Sequence, residues 1–211
     1  MVTIDGPGGA GKSTIARALA ERLGVPHVDT GAIYRAATLA VLRAGADPAD
    51  PAGCALVAAE ARIDRAGGRT RLDGEDVEDV IRGAQVTGLV SQVSDHPPVR
   101  VALLDAQRVG LREHGGVVEG RDAGTAVAPD ADLKVWLTAS PEVRAARRAA
   151  QLGEESPEVR ERLAADLARR DASDALRMRP AEDAMVVDTS DRGVHELVEQ
   201  LWTAAQTGAS R

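Results

Sequence analysis

Eight residues near the start of the chain, Gly6-Pro7-Gly8-Gly9-Ala10-Gly11-Lys12-Ser13, carry the most specific chemistry in the sequence. They match Gly, any four residues, then Gly-Lys-Ser/Thr, the phosphate-binding P-loop. Glycines allow successive backbone N–H groups to turn inward around a phosphate, where a side chain would block the approach. Lys12 supplies a point charge for the outer phosphates, and the Ser13 hydroxyl is a hard oxygen donor suited to Mg²⁺. Thr14 extends the loop by one more hydroxyl residue. The pattern calls for a nucleoside triphosphate.

The flanking residues agree. Val2-Thr3-Ile4 is a short apolar strand, and Ser13 to Leu23 is a helical run with Ile15, Leu19 and Leu23 on one face. That helix aims its N-terminal partial charge at the phosphate. Further strands are expected at 25–29, 117–119, 133–137 and 184–188. Helices are expected at 31–44, 97–113, 140–152, 156–170 and 194–205. Ser140-Pro141 and Ser156-Pro157 pair a cap with a first-turn proline. Short apolar strands alternating with helices imply an α/β fold with a parallel sheet covered on both faces. Ligands then gather at the C-terminal edge of the strands. The polar stretch 62–77 breaks the rhythm: Gly67-Gly68 separates two runs able to pair as a hairpin, flanked by helical stretches at 51–61 and 82–94.

At 211 residues, 44% hydrophobic and 28% charged, the composition is that of an ordinary soluble globular protein, with one domain and room for a small subdomain. No apolar run is long enough for a membrane span and no leader is evident, so the expected location is cytoplasmic. Cys54 lies in an apolar stretch and reads as a small core residue. A net charge of −7 argues against a general nucleic-acid binder. With aromatics at 1%, base stacking between rings is a weak proposal. Arginine makes up 24 of the 26 cations. It suits a bidentate grip on phosphate, but codon bias gives the same count, so the positions must decide.

Arg35 follows the second strand, Arg121 the third, and Arg169, Arg170 and Arg177 the helix from Ser156. Asparagine is absent, which removes the usual Asn-Lys-x-Asp element of guanine recognition. A small P-loop kinase with arginines for a second, anionic substrate remains. The stretches Asp29-Thr30-Gly31-Ala32-Ile33-Tyr34-Arg35, Ser91-Gln92-Val93, Glu119-Gly120-Arg121-Asp122 and Arg169-Arg170-Asp171-Ala172-Ser173-Asp174-Ala175-Leu176-Arg177 add weight. With Asp73-Gly74-Glu75-Asp76-Val77 and Pro129-Asp130-Ala131, in this order and spacing, the chain resembles bacterial cytidylate kinases from Ile4 to about Ser190.

The resemblance implies the nucleoside-monophosphate kinase fold: one domain over 1–211, with a five-stranded parallel sheet and helices on both faces. The core would be 1–46 and 95–206, with an inserted substrate-side subdomain at 47–94, a lid at 147–157 and a tail at 207–211. It implies transfer of the γ-phosphoryl of ATP to CMP or dCMP with Mg²⁺, by a monomer. Residue by residue, Gly6 to Thr14 and Arg147 fall to ATP, with Arg148 beside them in the lid. Ser91, Arg100 and Asp122 fall to the cytosine, with Thr30 nearby. Arg35, Arg121 and Arg177 fall to the CMP phosphate, and Arg170 and Asp174 to the sugar. Lys12, Arg121 and Arg177 would carry catalysis, and Ser13 the metal. Glu119 stands where some similar proteins have aspartate, and either metal-water organisation or an arginine pair suits it. Ala123 and Ala128 replace bulkier side chains common in that family.

The residue types make sense on their own terms. Cytosine offers an amine donor beside two acceptors, which a carboxylate and an arginine complement. Two other readings stay open: a kinase for another monophosphate or for a small alcohol such as shikimate, and a nucleotide-dependent regulatory module without turnover. The four histidines show neither metal-like spacing nor a carboxylate partner along the sequence, and read as structural.

Overall fold

The computed structural model describes residues 1–66, 68–154, 156–175 and 177–208. Gly67 of the hairpin turn, Glu155 of the expected lid, Leu176 of the arginine motif and the last three residues of the tail lie outside the described residues. The chain divides into two compact units, Met1–Val28 with Gly110–Arg211, and Asp29–Val109.

The first unit is built on a five-stranded parallel sheet with helices on both sides. Its strands are β1 (Val2–Asp5), β2 (His27–Asp29), β6 (Val117–Glu119), β7 (Leu133–Thr138) and β8 (Met185–Asp188), in the order β2-β6-β1-β7-β8. Parallel register sets Ile4 level with Glu119 and Asp5 level with Trp136. The C-terminal ends of the three central strands therefore share one edge, the edge from which the P-loop departs. Helix α1 (Lys12–Leu23) buries Ile15, Ala16, Leu19 and Ala20 in one core with Leu197, Val198 and Leu201 of α9 (Val194–Gly208) and the strand residues Ile4, Val135 and Leu137. The unit also contains α6 (Leu111–His114), α7 (Pro141–Leu152) and α8 (Pro157–Asp174). Ser140 and Ser156 cap α7 and α8 by accepting from the backbone N–H groups of Val143 and Val159, as the Ser-Pro pairs predict.

The second unit gathers α2 (Thr30–Arg43), α3 (Pro51–Glu60), α4 (Ala84–Asp95) and α5 (Pro97–Arg108) with a three-stranded sheet. Its strands β3 (Ile63–Ala66) and β4 (Arg69–Leu72) pair antiparallel as the expected hairpin, and β5 (Glu75–Asp76) adds to β4. Ala32, Ala36, Leu39, Leu72, Val77, Ile81 and Val86 form its core. Cys54 is buried in α3.

Two local features depart from the expected pattern. The single helix expected over 97–113 stops at Arg108, because Gly110 takes φ +76° before the short α6. A π-helical turn at Ala123–Val127 follows β6, with no local sequence signal for it. Among the described residues no helix is long and apolar enough to cross a membrane.

Leu19 is fully buried between the sheet and α9. Replacing it with alanine should cost about 2–5 kcal/mol by loss of transfer energy and cavity formation, read as a lower midpoint of urea unfolding at unchanged slope.

Candidate active site

The P-loop runs from the end of β1 into α1, and its glycines are sterically required. A Cβ on Gly6, at φ +142°, would fall 2.2 Å from the Leu137 carbonyl oxygen. One on Gly9, at φ +80°, would lie 2.9 Å from the Arg144 Cβ. Neither neighbour can retreat, because one is strand backbone and the other a helix stem. Lys12 opens α1, and its Nζ donates to the Pro7 carbonyl at 2.8 Å, bending back over the loop. Burial, followed by the nearby Arg121 charge, pushes the Lys12 ammonium down to about 8. Ser13 and Thr14 are exposed at the start of the helix.

Two carboxylates shape the surroundings of the loop. Asp5, at the end of β1, is buried and accepts from the backbone N–H groups of Ala123 and Gly124, both at 2.7 Å. It thereby caps the π-helical turn and fixes the backbone leading out of Arg121 and Asp122. Burial pushes its carboxyl up to about 6, against the two N–H bonds that favour the ionised form. Glu119, at the end of β6, is also buried. Its carboxylate meets His27 Nε2 at 3.1 Å. Burial raises the Glu119 carboxyl, but His27, Lys12 and Ser13 together hold it below the usual range. His27 therefore has a carboxylate partner after all. The pairing spans 92 positions of sequence and is made by the adjacency of β2 and β6, which no spacing along the chain reveals.

Arginines make up the rest of the first unit's site. Arg121 donates to Asp171 at 3.0 Å and lies 3.4 Å from Asp174, and Arg177 donates to Asp174 at 3.0 Å. Arg170 is pushed down by burial and by Arg121, and its Nε is buried with no hydrogen-bond partner among the described residues. Arg147 donates to the Thr189 hydroxyl at 2.9 Å and its carbonyl at 2.6 Å, while that hydroxyl donates to the Ala10 carbonyl of the loop at 3.0 Å. Arg147 is thus tied to the P-loop through Thr189. Arg148 donates to Gln151 on its own helix. Asp122 is half-buried, and its carbonyl accepts from Thr125 and Ala126.

The other expected residues belong to the second unit. Thr30 is buried at the start of α2, whose cap is Asp29. Arg35 donates to the Ile81 carbonyl at 3.0 Å and the Thr87 hydroxyl at 2.9 Å. Ser91 lies on α4, one turn before Ser94, whose carbonyl accepts from Arg100 at 3.3 Å. The Arg100 guanidinium sits 5.3 Å from the Tyr34 ring centroid, a cation–π distance. Asp5, His27 and Arg144 lie outside the motif stretches, and Tyr34 and Asp171 lie inside them with no role expected for either. Only Asp171, one helical turn before Asp174, offered a periodicity signal.

The family model described as cytidylate kinase matches residues 2–207. A cytidylate kinase of Rhodococcus opacus is 49% identical over 95% of this chain and 92% of its own length. One from Mycobacterium leprae is 47% identical over 95% of this chain and 93% of its own. In three dimensions the chain is similar to a gluconokinase from Sinorhizobium meliloti, with a TM-score of 0.53 at 15% identity over 99% of this chain and 93% of that one. That likeness speaks to fold alone.

The Asp5 carboxyl yields a signed pH prediction. Its folded pKa lies above the unfolded value, so its contribution to stability is full below about 4 and is lost as pH rises through about 6. The stability gap between wild type and Asp5→Asn, which does not titrate, should shrink over that window in urea unfolding. A carboxyl NMR titration should give Asp5 a midpoint near 6.

Proposed function

The chain belongs to the cytidylate kinase family, and from that membership we propose that it moves the γ-phosphoryl group of ATP to CMP or dCMP, giving the diphosphate and ADP. The observation that carries this reading is the combination, within one compact unit, of a complete P-loop with Lys12 and an arginine set at Arg121, Arg170 and Arg177. A P-loop alone serves a triphosphate donor. The additional arginines suit a second, anionic substrate.

In this reading, backbone N–H groups from Gly6 to Ser13 cradle the donor phosphates, aided by the N-terminus of α1. Lys12 leaves the Pro7 carbonyl for the outer phosphates and stabilises charge on the transferring group. Arg147, held against the loop through Thr189, supports the donor side. Arg35, Arg121 and Arg177 hold the acceptor phosphate, and Arg170 and Asp174 meet the sugar. Ser91, Arg100 and Asp122 read the base near Thr30. No general base is assigned, because a phosphate nucleophile is already ionised at neutral pH. The chain's contribution is positioning and charge neutralisation.

The residues present suit Mg²⁺. Ser13 and Glu119 are both oxygen donors, and His27, Lys12 and Ser13 hold the Glu119 carboxyl ionised. Mg²⁺ prefers octahedral oxygen ligands, mostly waters and substrate phosphates with one or two from protein. Ser13 would be the direct ligand and Glu119 would orient bound water. When bound, the ion neutralises charge on the donor phosphates. Residues 47–94 would serve the monophosphate and 147–157 would act as a lid, in a cytoplasmic monomer handling free nucleotides.

An ADP-release assay across CMP, dCMP, UMP, AMP and shikimate tests the reading. CMP and dCMP should lead; a lead for any other acceptor, or silence with all, would contradict it. Lys12→Ala should lower turnover by roughly a hundredfold or more with the fold retained, judged by circular dichroism. Asp122→Asn should narrow the preference for CMP over UMP. Uracil sets an oxygen where cytosine has its amine, and facing that oxygen to a carboxylate leaves buried groups unpaired at about 1–3 kcal/mol each.

A further inference from the structure

Asp171 and Asp174, one turn apart on α8, hold arginines from three other segments. Asp174 serves Arg121 and Arg177. Asp171 joins two different elements. One of its oxygens accepts from Arg121 at 3.0 Å, and the other takes the guanidinium of Arg144. Arg144, in the first turn of α7, donates through Nε to the Gly8 carbonyl at 2.7 Å. An unbroken path thus runs from the P-loop to Arg121: Gly8 carbonyl, Arg144, Asp171, Arg121. The side chains of Arg144, Asp171 and Arg121 are 11%, 16% and 19% exposed, so solvent screens these pairs little. The near contact between Gly9 and the Arg144 stem fixes one end of the path against the loop.

We propose that Asp171 is a positioning residue for the phosphoryl transfer, one that sets Arg121 at a fixed place relative to the donor-phosphate loop. This rests on the functional reading in which Arg121 holds the acceptor phosphate. Arg121 needs such a tether. Its flexible stem carries several rotatable bonds, and Lys12 and Arg170 both feel its charge as repulsion. A carboxylate with one oxygen for each arginine overcomes that repulsion and defines the direction of both guanidinium groups. An amide of the same shape cannot, because its NH₂ must face one of the two arginines. In-line transfer is sensitive to such misplacement, of which about 1 Å can cost a hundredfold.

The test compares wild type, Asp171→Asn, Asp171→Glu, Arg144→Met and the Asp171→Asn/Arg144→Met double variant, with kcat and both KM values measured for CMP and ATP. Asp171→Asn should lower kcat by about tenfold to a hundredfold while KM for ATP stays near the wild-type value and the melting curve remains cooperative. Asp171→Glu, which keeps the charge on a longer stem, should recover part of the loss. The double variant should be no slower than the slower single variant, because both substitutions break one path. Wild-type kcat in Asp171→Asn, or losses that multiply in the double variant, would overturn the proposal alone. If Asp171→Asn fails to fold, wild-type kcat in both Asp171→Glu and Arg144→Met would do the same. A wild-type protein without CMP turnover would overturn the functional reading and this inference with it.

Discussion

Repulsion among cations crowded at one sheet edge governs how this site is built. Lys12 is pushed down to about 8 by burial and by Arg121, and Arg170 is pushed down by the same two causes. Such a cluster opposes folding unless negative charge offsets it. Asp171 and Asp174 supply part of that offset from one face of α8. They leave Arg170 with a buried Nε that no group among the described residues accepts. A site whose cations repel one another is poised for phosphate: the electrostatic cost is present before the ligand arrives, and the ligand relieves it.

That poise matters only if the groups stay in place, and backbone contacts see to it. Gly6 lies against the Leu137 carbonyl and Gly9 against the stem of Arg144. Asp5 reaches from the end of β1 to the backbone after Arg121, and Thr189 reaches from beyond β8 to the Ala10 carbonyl. Parallel pairing brings these strand ends to one edge. A loop that must admit phosphate to its own backbone is thereby braced from several elements at once. In the second unit, Arg35 and Arg100 engage backbone carbonyls, the Thr87 hydroxyl and the Tyr34 ring.

What the sequence made legible was local. The P-loop spelling, the period of Ile15 and Leu19, and the Ser-Pro caps each depend on a few neighbouring residues, and each appears in the structure at its expected place. The break at Gly110 was not read, because the apolar period expected over 97–113 runs across it. The other illegible parts are long-range. Asp5 caps a turn more than a hundred positions away, His27 meets Glu119 through strand order, and Arg144 meets Asp171 through the pairing of two helices. None of these carboxylates differs in sequence from a solvated surface aspartate or glutamate. Only the topology gives them partners.

A cationic site poised for phosphate should reveal itself in calorimetry of ADP binding near pH 8, where Lys12 is about half ionised, run in two buffers of different ionisation enthalpy. The phosphates should restore the Lys12 charge, so binding should take up a fraction of a proton from the buffer. Binding heats independent of the buffer, or a net release of protons, would contradict that picture.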